Sequence, residues 1–142
     1  MTEVLSPADV KKRAEEVERQ KLREAMEVMK KKEAHEEELR NAFMNEDVRP
    51  DWQDRVNRAI NAAVERGENE FMALRFPAAW CSDKGRAINN FEPDWPSTLT
   101  GRAARAYEVF KRELEPMGYR LKAQILNFPG GMPGEVGIYL VW

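Results

Sequence analysis

Residues 99–125 read LTGRAARAYEVFKRELEPMGYRLKAQI, and two hydrophobic periods meet inside this stretch. Leu99, Ala103, Tyr107, Phe110, Leu114 and Met117 recur at spacings of four and three, which predicts a helix with a nearly continuous buried face. Pro116 and Gly118 supply its stop. The chain then passes directly into Tyr119, Leu121, Ala123 and Ile125, which alternate with Arg120, Lys122 and Gln124 and predict a half-buried strand. A helix running straight into a strand, each with one apolar face, points to an α+β fold.

Working outward, Phe128 to Glu135 carries Gly130, Gly131 and Gly134 together with Pro129 and Pro133, a hairpin loop. A last strand follows, with Val136, Ile138, Leu140 and Trp142 alternating against Gly137, Tyr139 and Val141. Upstream, residues 70–76 alternate as a strand stopped by Pro77, with Met72, Leu74 and Phe76 on one side and Phe71, Ala73 and Arg75 on the other. Before it, Asp51 caps a helix whose Trp52, Val56, Ile60 and Ala63 share a face and which ends at Gly67. The result is an α-β-α-β-β module in which two helices cover one face of a three-stranded sheet. Residues 78–98 stay irregular, apart from a short helix at Asp83–Asn89 after a Ser82 cap. Long ordered loops carry function more often than short ones, so a site is first sought there.

Between Pro7 and Pro50 there is neither glycine nor proline, whereas all eight glycines and all four tryptophans lie beyond Pro50. Gly and Pro are the strongest backbone interrupters, so residues 1–49 read as a long helical arm and residues 50–142 as a packed module. Ser6, Pro7 and Asp9 form the helix start. Running to about Met44, the helix would span roughly 57 Å. Glu15 with Arg19, Glu27 with Lys31 and Glu36 with Arg40 have the favourable spacing for ion pairs. Val10, Ala14 and Val17, then Leu22, Met26 and Met29, then Leu39 and Phe43 follow helical spacing, but Ala34 is the sole apolar residue between Lys30 and Glu38. No heptad register survives that gap.

Composition excludes several classes. The 23 basic and 25 acidic residues nearly balance in both parts, so the phosphate-neutralising excess of a non-specific nucleic-acid binder is missing. A single cysteine, Cys81, excludes an internal disulfide and a zinc finger. No apolar run is long enough to span a membrane, and Met1–Ser6 lacks the features of a signal peptide, so a protein that is cytoplasmic, or packaged from a cytoplasm into a virion, is expected. The single histidine, His35, reads as a solvated side chain on an acidic helix. Arg120-Leu121-Lys122 lacks the acid of a nuclease strand motif, and the glycine loop at 130–134 precedes no helix and cradles no phosphate. Asp83, Glu92 and Asp94 are the acids whose convergence would make a divalent-cation site. No catalytic, cofactor or metal constellation is read, and a non-enzymatic protein is expected.

Ile60-Asn61-Ala62-Ala63 ending at Gly67, a strand, a helix closing on Met117-Gly118-Tyr119 and a strand ending in Trp142 resemble a pattern among small uncharacterised proteins of tailed bacteriophages and prophages. The resemblance covers about 90 residues, omits the arm, and implies an accessory protein with no catalytic residues to carry over. The residues themselves give two expectations. In the first, Val17, Leu22, Met26 and Met29 on the arm contact a protein partner or a second copy. In the alternative, Arg120, Lys122 and Tyr139 on the outer sheet face contact RNA or single-stranded DNA.

Overall fold

A computed structural model describes residues 3–142. The elements are α1 (Pro7–Asn45), α2 (Trp52–Glu65), β1 (Glu70–Pro77), a short α3 (Arg86–Asn89), α4 (Gly101–Val109), β2 (Arg120–Ile125) and β3 (Glu135–Val141). The fold is α+β, with a three-stranded antiparallel sheet in the order β1-β3-β2. Residues 3–41 form one unit and Ala42–Trp142 a compact second one. The compact unit therefore takes in Phe43 and Met44, ahead of Pro50, where the sequence places its boundary.

In the first unit, Ser6 and Asp9 cap α1 reciprocally. The Ser6 Oγ accepts from the Asp9 backbone N–H at 3.1 Å, and the Asp9 carboxylate accepts from the Ser6 N–H at 3.3 Å and from its hydroxyl at 2.8 Å. The three expected ion pairs of the arm are not closed among the described residues; Gln20 Nε2 donates to Glu24 Oε1 at 3.2 Å instead. Fully exposed charges gain little from closing such pairs, because water solvates them as well.

Register explains which side chains reach the core of the second unit. The rows Phe71–Leu140–Leu121, Leu74–Ile138–Ala123 and Phe76–Val136–Ile125 cross the sheet on its covered face. Met72 pairs with Tyr139 on the opposite face, which corrects the expected alternation of β1. The register shifts between Met72 and Leu74, so Ala73 is an inserted bulge residue and the side-chain parity reverses across it. Strict period-two counting cannot see such an insertion.

Above the covered face lie α2, α4 and the 78–98 segment, while Phe43 stacks at ring-centroid distances of 5.2 Å from Phe76 and 4.7 Å from Trp80. The 78–98 segment is packed: Ala78, Cys81, Ala87, Ile88 and Thr98 are buried. Gly85, not Ser82, stands at the N-cap of α3, and the Asp83 carboxylate accepts from the Gly85 N–H at 3.0 Å and from the Ala87 N–H at 2.8 Å. Asp51 does stand at the N-cap of α2, but its carboxylate makes no cap hydrogen bond and takes the Arg55 guanidinium at 3.1 Å instead.

The helix read from residue 99 starts at Gly101, with Leu99 buried just ahead of it. Past Val109 it widens into a π-turn over Phe110–Leu114, where the Glu115 N–H donates to the Phe110 carbonyl, then tightens into a 3-10 turn at Glu115–Met117. Pro116 accounts for the change, because a proline in an α-helix has no N–H to donate and its ring meets the carbonyl four residues back, here that of Arg112. Met117 is consequently 71% exposed instead of continuing the buried face. Gly118, left-handed at φ +106°, turns the chain into β2. At the sheet's end Trp142 packs against Phe71 and Tyr119, with its N–H on the Asn69 carbonyl at 3.1 Å.

Candidate functional site

On α1 the residues expected to meet a partner are uncovered. Val17 is 43%, Leu22 61%, Met26 62% and Met29 61% exposed, and Val28 and Leu39 are exposed beside them. Among the described residues of the first unit none is buried. Burying large apolar side chains of this kind stabilises by about 1.5–3 kcal/mol each, a gain that these side chains do not collect within their own unit.

The outer sheet face does bring Lys122 and Tyr139 together, directly opposite each other on β2 and β3, with Arg120 exposed in the next row. Neither group is idle there. Lys122 Nζ lies 2.6 Å from a Glu70 carboxylate oxygen and 4.7 Å from the centre of the Tyr139 ring. Gln124 Nε2 donates to the Tyr139 hydroxyl at 3.1 Å, and Arg75 is paired with Glu135 on the same face. A phosphate would have to displace Glu70, and a base would have to displace the ammonium that covers the ring.

Within the 78–98 segment, Asp83, Glu92 and Asp94 do not converge; among the described residues no three His, Cys, Asp or Glu side chains gather as metal ligands. Cys81 is buried, and its thiol is pushed up to about 11, first by desolvation and then by the negative charge of Asp83, against a weaker opposing hydrogen bond with Thr98. A thiol so protonated at neutral pH is a packing group, not a nucleophile. An aromatic disulfide reagent at pH 8 should leave Cys81 intact in the native protein and titrate it after denaturation; rapid native reaction would contradict its burial. The sign of the pH effect follows from the raised value. The unfolded thiol ionises near 9.0 while the folded one stays protonated, so the stability it contributes is complete below that pH and declines as pH rises toward 11.

One concave feature escaped the sequence reading. Between α2, α4 and the covered sheet face there is a cavity of about 440 Å³, walled by Trp52, Val56, Phe71, Leu74, Phe110 and Leu114. Beside it a polar recess of about 520 Å³ shares Val48, Arg49, Trp52 and Val109 with it and adds Arg105 and Arg112. The wall residues carry the same helical and strand periods as ordinary core residues, so periodicity alone could not separate them. The available signal was Arg102, Arg105 and Arg112 along one helix, beside Arg49 in the hinge.

Among the described residues, no helix is long and apolar enough to cross a membrane. The fold and these surfaces define an α+β module joined to a charged helix. No known protein family matches the chain, and no curated protein or solved structure is significantly similar to it.

Proposed function

We propose that this is a non-enzymatic interaction protein in which α1 pairs with a second copy of itself, antiparallel. The observation that carries this reading is the exposed apolar strip of α1, with Met29 and Leu39 at the centre of the pairing and Val17, Leu22 and Met26 leading up to it, none of it buried within its own unit. The sequence around it is self-complementary. Ala25, Met29, Lys32, Glu36 and Leu39 share a stripe at spacings of four and three. Reversing one copy about Ala34 sets Met29 against Leu39 and brings Lys32 opposite Glu36 on that stripe, in both directions at once. The gap that breaks the apolar register thus supplies orientation, since like charges would face each other in a parallel pair. The association fits an accessory protein of the phage or prophage kind, acting as an adaptor.

Light scattering on the full chain at increasing concentration should show a mass of twice 16.5 kDa. Lys32→Glu should weaken the dimer by about tenfold or more, and Lys32→Glu combined with Glu36→Lys should restore it. A monomer throughout the micromolar range, or a double variant no better than the single one, would overturn the proposal.

A further inference from the structure

A second binding capacity lies wholly inside the compact unit and is independent of α1. The cleft of about 440 Å³ between two helices and a sheet opens to solvent and is on the scale of a ligand site. Its walls are mainly aromatic and aliphatic, while Arg49, Arg55 and Arg102 stand along it. The adjoining recess adds Arg105 and Arg112 to Arg49, against the acids Asp47 and Glu108.

Several of these guanidinium groups are positioned by single contacts. Arg55 is held by Asp51 at 3.1 Å, Arg102 by Glu46 at 3.6 Å, and Arg112 by Glu113 at 3.1 Å. Arg105 donates to the Met44 and Glu46 carbonyls at 3.0 and 2.7 Å. A guanidinium has five N–H donors, so each arginine retains capacity for an incoming anion. Arg49 borders both the apolar cavity and the polar recess, which places positive charge at the junction between them.

We propose that the cavity binds a small anionic amphiphile, with an apolar chain among Trp52, Phe71, Phe110 and Leu114 and a carboxylate at Arg49. One feature favours a singly charged carboxylate over a phosphate. Asp47 and Glu108 offset part of the positive field, which penalises a dianion more than a monoanion.

Decanoate, below its micelle-forming concentration, is the probe, titrated calorimetrically into the full-length protein. Saturable binding to one site per chain is expected, weakened by about tenfold or more in Arg49→Gln, an exposed position whose change leaves the core intact. Ala59→Phe, which fills the cavity from α2, should abolish binding; a normal thermal unfolding profile for that variant would show that the fold is retained. Decan-1-ol, with the same chain and no charge, should bind the native protein more weakly than decanoate and bind Arg49→Gln no worse than the native protein. Absence of saturable binding, equal affinity of decanoate for Arg49→Gln, or equally tight binding of decyltrimethylammonium would each overturn the proposal. The dimer equilibrium of α1 affects none of these outcomes.

Discussion

Gly101→Ala should lower the stability of the protein by about 2–4 kcal/mol, measured as a shift in the midpoint of denaturant unfolding. Two independent penalties combine. Gly101 has φ +53°, a left-handed backbone that costs an L side chain energy before any contact is considered. A Cβ there would also stand 2.6 Å from the Phe43 carbonyl oxygen and 2.8 Å from the Met44 Cα. Both are backbone atoms and no rotamer change relieves them, so the end of α1 would have to move away from the start of α4. An unchanged midpoint would mean that this close approach does not exist in solution.

Phe43→Ala is expected to cost about 3–5 kcal/mol, the range for emptying a large aromatic site in a core. Phe43 is 8% exposed and packs against Phe76 and Trp80 at once. Leu22→Ala on the same helix should stay within about 0.5 kcal/mol at concentrations where the chain is monomeric. The contrast also bears on fragments. A chain starting at Ala42 should unfold cooperatively with near-native stability, while one starting at Pro50 should lose about as much as Phe43→Ala does. Equal stability of the two fragments would remove Phe43 from the core.

The α+β class was legible because residues 99–125 change from a period near 3.6 to a period of two without a linker. What the sequence concealed came from events that periodicity does not encode. The bulge at Ala73 moved Phe71 onto the covered face and Met72 off it, because one inserted residue reverses parity. The segment 78–98 lacks a regular period, yet the hydrogen bonds that Asp83 accepts and the burial of Cys81, Ile88 and Thr98 make it part of the core. On the candidate surfaces, Lys122 and Tyr139 were correctly read as neighbours across a hairpin. The closure of Lys122 onto Glu70 joins residues 52 positions apart and could not be read from local spacing.

The strand order has a consequence for how the molecule comes into being. β3 is central, so β1 and β2 share no ladder with each other and both depend on residues 135–141 for their hydrogen bonds. During synthesis on the ribosome, β1 must wait for more than half of the compact unit to emerge before it acquires a neighbour. Throughout that interval its unpaired edge and the side chains of Phe71, Leu74 and Phe76 are open to chaperones or to other nascent chains, which makes the last strand the step that commits the sheet.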